Sequence, residues 1–234
     1  MKAKIVAYTF LGLFLVLALV SCASVSVEDG TERATQKMPE MIYVLDFGTA
    51  HSDFQVDRTG PELAEFKKNL QLMLKTAMVT DLTDRLAPAV PGTKSDWSRN
   101  KNAWLVRGEF IKVCQGSRLL RGAIGFGAGR TVMDTRVSVY DLAQSADVPF
   151  LTFSTLGGSG AEPGAVTAIA TDPAEIAVQI AVGGVSGVAH GLTEDTKRTA
   201  REITAEFSNY MYQRGWIPES QWIKPKHRQG GDVW

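Results

Sequence analysis

The sequence predicts an α+β fold: a single domain in which one mixed, mostly antiparallel sheet packs against two main helices. Two observations carry this prediction. Segments beginning at Thr59 and Thr193 repeat apolar residues every three or four positions, as amphipathic helices do. Between them lie three runs that alternate apolar and polar residues, the pattern of strands with one buried face. With an apolar run before the first helix, the order is β-α-β-β-β-α, which builds a sheet covered by helices.

The first strand and helix follow from short local patterns. Met41 to Phe47 is a continuous apolar run of strand length, consistent with burial on both faces. Thr59 is placed to cap the helix, with Pro61 in the first turn and Glu62 completing a capping box. The apolar stripe of this helix consists of Leu63, Phe66, Leu70, Leu74 and Ala77, with Met73 and Met78 beside them.

Three strands follow, and we expect them to pair as an antiparallel meander. They cover 104–114, 130–140 and 150–156. In the first strand the apolar phase shifts by one residue after Phe110, to Ile111 and Val113, which predicts a β-bulge. The second places four charged or polar side chains opposite its apolar ones. A charged lattice formed by Arg107, Glu109, Asp134 and Arg136 is therefore predicted on one face, either as a solvated surface or as a binding face.

The last helix begins at Thr193 and is the strongest in the chain. Glu194 and Asp195 favour its positive end, Glu194 can pair with Arg198, and Gly215 ends it. Its apolar stripe consists of Ala200, Ile203, Phe207, Tyr210 and Met211.

The N-terminal 21 residues have the pattern of a lipoprotein signal peptide. Lys2 and Lys4 precede an apolar run that is shorter than the roughly 20 residues a transmembrane helix needs. The run ends in Leu19-Val20-Ser21-Cys22, which resembles the lipobox of bacterial lipoproteins. This resemblance implies lipidation of the Cys22 thiol, cleavage before Cys22 and acylation of its amino group. The alternative is a plain signal peptide or an uncleaved anchor with an incidental cysteine.

The resemblance also implies a location in the cell envelope. A triacylated Cys22 stays on its membrane, because each buried methylene contributes about 0.8 kcal/mol. Ala23, rather than an aspartate, follows the cysteine. In lipoproteins of this type that residue favours the outer membrane, with the domain facing the periplasm. The predicted layout is a flexible tether over 22–40, the domain over 41–218 with a Gly/Ala-rich insertion at 157–192, and a C-terminal tail over 219–234.

Composition excludes some partners. The chain has 25 basic and 25 acidic side chains, and removal of the signal would remove two lysines, so no net basic face is expected for nucleic acid. If Cys22 carries lipid, Cys114 has no second cysteine in the chain with which to form a disulfide. Its apolar neighbours predict that Cys114 is buried and behaves as a small hydrophobic residue.

No motif predicts chemistry. The glycines of 125–129 lack the spacing of a phosphate loop, and a strand rather than a helix follows them. Asp46-Phe47-Gly48 matches the magnesium-binding tripeptide of protein kinases, but the other sequence motifs of kinases do not accompany it. The histidines, His51, His190 and His227, are isolated from further metal ligands. We therefore expect no catalytic residues, no metal, no cofactor and no enzymatic activity.

Gly183, Gly187 and Gly191 recur every four residues in an apolar stretch. On a helix this spacing aligns a flat seam that another backbone can approach closely. Two interpretations of this segment remain open. It is either a loop or a helix that packs closely on the sheet, or it is a segment that forms an oligomer or dips into the membrane.

Several stretches together resemble a family of bacterial lipoproteins classified only as a domain of unknown function. They are 106–110 (VRGEF), the glycine loop at 125–129, 137–141 (VSVYD) and the helix from Thr193 to Gly215. The match spans about Met41 to Pro218 and implies an envelope location and an α+β domain, with no catalytic residues. The element order is also loosely similar to the periplasmic domain of curli-secretion channel lipoproteins.

The expected function is a lipid-anchored envelope lipoprotein that acts as a non-catalytic binding or assembly module. Its partners would be the membrane, through Cys22, and an envelope protein or glycan. The alternative is an oligomeric accessory subunit of a secretion or transport system that uses the segment from Gly183 to Gly191 for self-association.

Overall fold

The predicted α+β domain is confirmed in a computed structural model, which describes residues 24–28, 37–93, 102–116, 131–158 and 190–225. A mixed sheet of seven strands packs against two helices. The strands are β1 (Ser24–Glu28), β2 (Met41–Val44), β3 (Asp53–Gln55), β4 (Ala89–Pro91), β5 (Ala103–Cys114), β6 (Val132–Asp141) and β7 (Leu151–Gly158). The helices are α1 (Gly60–Arg85) and α2 (His190–Gln213), and a 3-10 turn follows at Glu219–Gln221.

The sheet has the strand order β1-β7-β6-β5-β2-β4, with β3 paired to the far end of β5. The predicted meander is confirmed, since β5, β6 and β7 pair as antiparallel neighbours. Beside it, β2 and β3 pair with β5, and β4 pairs with β2, all in parallel. Parallel pairing of β2 with β5 is possible because α1 carries the chain from one end of the sheet to the other.

The bulge after Phe110 is confirmed by a register shift between Phe110 and Lys112 on β5. Val113 beyond it is fully buried, as the phase change predicts. The expectation for Ile111 is wrong, because its side chain is 37% exposed. Phe110 and Lys112 pair with consecutive residues of β6, so Ile111 is the extra residue that has no partner in the ladder.

Both helices lie on the same face of the sheet and pack against each other. The predicted stripes are confirmed as core: α1 buries six of its seven predicted apolar residues, with Leu63 half-buried, and α2 buries all five. The capping box at the start of α1 is not formed. Thr59 occupies the N-cap position in an extended conformation, but its side chain makes no capping hydrogen bond.

The start of α2 differs from the prediction. The helix begins at His190, three residues before Thr193, so Glu194 and Asp195 lie beyond its first turn. The expected Glu194–Arg198 pair is wrong: Arg198 lies 4.0 Å from Asp195, and Glu194 pairs with Lys197 at 3.3 Å. Side chains three apart on a helix are neighbours as close as those four apart, so local rotamers decide between them.

The end of α2 is confirmed at Gly215, which has a φ of +69°. The amide of Trp216 donates to the carbonyl of Met211, and that of Gly215 donates to the carbonyl of Tyr212. This pair of bonds is a Schellman motif, in which glycine adopts the left-handed conformation at low cost. The motif turns the chain back, and the Trp216 ring lies 6.2 Å from that of Trp104 in the core.

Three strands were not predicted. The prediction of a flexible tether over 22–40 is wrong for Ser24–Glu28, which forms β1 and pairs with β7. The polar segment after His51 contains β3, and the segment after α1 that includes Pro88 and Pro91 contains β4. Two of these strands have three residues each, too few to show a period of two, and β1 acquires its pairing from a strand more than a hundred residues away.

Candidate binding face

The sheet has a face that neither helix covers, formed by β5, β6 and β7, and we call it the open face. Along each strand, alternate side chains such as those of Val137 and Phe153 are fully buried under the helices. The intervening residues therefore point the other way. On the open face these include Arg107, Glu109, Lys112, Asp134, Arg136, Ser138, Tyr140, Thr152, Ser154 and Leu156.

Pairs of opposite charge and of hydroxyl groups cross the strands of the open face. Glu109 and Arg136 are register partners, with 3.9 Å between carboxylate and guanidinium and side chains 42% and 46% exposed. The Arg107 guanidinium lies 4.6 Å from the centroid of the Tyr140 ring. Such half-exposed pairs contribute little, about 0–1 kcal/mol each.

Asp134 is the carboxylate at the centre of one end of the open face. It is the register partner of Lys112 on one side and of Leu156 on the other. Partial burial raises the pKa of Asp134, and the positive charges of Arg136 and Lys112 offset only part of that effect. The carboxylate is thus easier to protonate than a solvated aspartate.

Exposed apolar side chains occupy the same end of the face. Leu156 is 40% exposed, and Ile111, the extra residue of the bulge, is 37% exposed. A surface with both charges, hydroxyl groups and exposed aliphatic side chains can contact a macromolecule through many weak interactions. Among the residues that the structure describes, no three His, Cys, Asp or Glu side chains are grouped to hold a metal ion.

The structure brings the four predicted charged residues onto one face, as the alternation indicates. It adds Lys112 and the hydroxyl residues Ser138, Thr152 and Ser154, which sequence reasoning did not select. The bulge could have revealed Lys112, since a one-residue shift moves it onto the face of Arg107. The hydroxyl residues carry no such signal.

Most other predicted sites lie outside the described part of the chain. Cys22, Gly183, Gly187 and the glycine loop at 125–129 belong to this group. Gly191 is in the first turn of α2, so the glycine seam as a whole is not tested. Cys114 is half-buried at the end of β5, against the expectation of full burial, because it is a strand end beside a loop. Of the helices that are described, none has the length and apolarity to span a bilayer.

Comparison with known families bears on this face, because its three strands lie inside the matching region. The profile of the family described as "Domain of unknown function (DUF4410)" matches residues 42–178. The chain belongs to this family. The DUF4410 match runs from β2 past the end of β7, whereas α2 lies beyond it. No curated protein matches the sequence significantly.

Two solved structures resemble this DUF4410 chain distantly. One is described as a PelC dodecamer from Paraburkholderia phytofirmans, with 12% identity, a TM-score of 0.37, and coverage of 71% of this chain and 95% of that one. The other is the hypothetical protein CT253 from Chlamydia trachomatis, with 12% identity, a TM-score of 0.32, and coverage of 74% and 97%. Similarity at this level assigns no function to the DUF4410 chain.

Proposed function

We propose that the chain is a lipid-anchored bacterial envelope lipoprotein, held through Cys22 at the outer membrane with its domain in the periplasm. Its open face binds another envelope macromolecule, a protein or a glycan, and no catalysis takes place there. The observation that supports binding most directly is that both helices lie on one face of the sheet and leave the other to mostly polar side chains.

The contacts on the open face are weak enough to be replaced by contacts with a partner. The Glu109–Arg136 pair is separated by 3.9 Å and is half-exposed, so breaking it costs less than about 1 kcal/mol. A partner's carboxylate, hydroxyl or backbone carbonyl can then bind the planar guanidinium of Arg136, which presents several donors in a fixed geometry.

The lipid anchor is tested by mass spectrometry of the chain purified from bacterial membranes. We expect a mature N-terminus at Cys22 that carries acyl chains, and membrane fractionation of the protein. The variant Cys22→Ser should keep its signal peptide and lose the acyl mass. Recovery of an unmodified Cys22 on the native chain would contradict the anchor.

Binding by the open face is tested with a photo-crosslinking amino acid introduced at Ser154 in living cells. The matched control is Lys68, an exposed residue of α1 on the opposite side of the domain. We expect a discrete adduct from position 154 that is absent from position 68, and we expect Arg136→Ala to reduce it. The same adducts from both positions, or none from position 154, would contradict binding at this face.

A further inference from the structure

The first strand of the sheet begins almost at the proposed lipidation site. Ser24, the first residue of β1, is the second residue after Cys22. Since an extended residue spans at most about 3.6 Å, the Cα atoms of Cys22 and Ser24 are within about 7 Å of each other. Only Ala23 separates the anchor from a strand that is hydrogen-bonded into the sheet.

The register of β1 fixes the end of the sheet to which the anchor is attached. Ser24 pairs with Leu156 of β7, Leu156 with Asp134 of β6, Asp134 with Lys112 of β5, and Lys112 with Asp53 of β3. This row of five residues crosses the sheet two residues from the nearer ends of β5, β6 and β7, and we call it the anchor row. The other end of the same hairpin, at the β6–β7 turn with Val148, lies beyond at least five strand residues, or about 17 Å.

We propose that the end of the domain marked by the anchor row lies against the surface of the lipid bilayer, with the strands directed away from the membrane. This orientation rests on the lipid anchor of the proposed function. The occupant of that end is a lipid surface because the linker is too short to lift the row away from the headgroups. The headgroup layer on each side of the roughly 30 Å hydrocarbon core is several ångströms thick. This thickness is comparable with the distance of about 7 Å that the linker from Cys22 to Ser24 can span.

The chemistry of the anchor row agrees with contact at the interface. Leu156, next to Ser24, keeps 40% of its surface exposed although it lies within a strand. The row also holds Asp53, Asp134 and Lys112, so charge attraction alone does not set the orientation. The open face then stands sideways to the bilayer and stays accessible to a partner.

The orientation is measured with an environment-sensitive fluorophore on a single introduced cysteine. The two positions are Leu156→Cys in the anchor row and Val148→Cys at the opposite end, each in a Cys114→Ser background. They are matched, since both are aliphatic and their exposures are 40% and 38%. The lipidated proteins are placed in vesicles of phosphatidylethanolamine and phosphatidylglycerol that carry doxyl-labelled acyl chains. We expect severalfold stronger quenching at position 156 than at position 148.

Two further variants separate the possible failures. A long Gly/Ser segment inserted between Ala23 and Ser24 should equalise quenching at the two positions without changing the melting temperature. Equal quenching without the insertion, or a difference that survives it, overturns the orientation. An unmodified Cys22 in the mass spectrum of the same samples overturns the anchor, and the orientation with it, whereas an acylated chain with equal quenching overturns the orientation alone.

Discussion

Replacing Gly108 with alanine tests how tightly the parallel part of the sheet is packed. Gly108 lies in the middle of β5, and the Phe47 ring packs directly on its Cα. A Cβ atom at Gly108 would overlap three atoms of that ring. Phe47 is fully buried, and its ring contacts that of Phe110 at a centroid distance of 5.8 Å, so a shift of the ring would disturb the core.

The backbone around Phe47 is fixed as well. The amide of Gly48 donates to the carbonyl of Gly108 at 2.8 Å, the amide of Phe110 donates to the carbonyl of Gly48 at 2.9 Å, and the Gln71 amide group donates to the carbonyl of Phe47 at 2.5 Å. Adding a methyl group to a core of this kind costs about 1–3 kcal/mol. At roughly 2–4 °C per kcal/mol for a domain of this size, the melting temperature should fall by about 2–12 °C.

The assay is thermal and urea denaturation followed by circular dichroism, with Gly48→Ala as the control. A Cβ atom at Gly48 would meet its nearest neighbours, Glu109 Cβ and the Gly108 carbonyl, at 3.6 and 3.7 Å, which is ordinary contact. Both variants restrict the unfolded chain equally, an effect that stabilises by about 0.4–1 kcal/mol where the site is compatible. The difference between the two therefore measures the overlap with Phe47.

Equal stability of Gly108→Ala and Gly48→Ala would refute this packing. A second comparison addresses its cause: if the ring is responsible, Phe47→Leu should cost less in the Gly108→Ala background than in the native chain. Additive effects of the two substitutions would show that they act independently, contrary to direct contact.

Three further predictions concern the helices and the open face. Burial raises the pKa of Asp195 above its ordinary value of about 3.9, and the Thr131 hydroxyl and Arg198 offset only part of this. The folded state therefore binds the Asp195 proton more tightly than the unfolded state does. As the pH rises from the ordinary pKa of the unfolded state through the raised pKa of the folded state, the free energy of unfolding falls. Asp195→Asn should flatten that part of the pH profile in urea titrations, and an unchanged profile would contradict it. The Thr83 hydroxyl joins the end of α1 to β4 by bonding the carbonyl and amide of Ala89 at 3.2 and 3.1 Å, so Thr83→Val should cost about 1–2 kcal/mol in the same titrations. A double-mutant cycle of Glu109→Ala and Arg136→Ala should give a coupling energy below about 1 kcal/mol, and a larger one would show a structural rather than a free binding surface.

The sequence alone determined the elements whose pattern is local and long enough to read. Alternation identified β5, β6 and β7 and assigned Arg136 and Val137 to opposite faces. The one-residue phase change located the bulge, the helical stripes identified both helices, and Gly215 marked the end of α2. The charged residues of the open face followed from the same alternation, because a strand turns successive side chains to opposite sides.

Tertiary structure alone decided which distant segments meet. Three-residue strands such as Asp53–Gln55 and Ala89–Pro91 have no periodicity of their own and exist because β5 and β2 offer them unpaired backbone groups. Ser24–Glu28 became a strand rather than a tether because the edge of β7 was free to pair with it. Register between strands depends on packing across the whole sheet, which is why the proposed anchor at Cys22 is attached to a defined end of the domain.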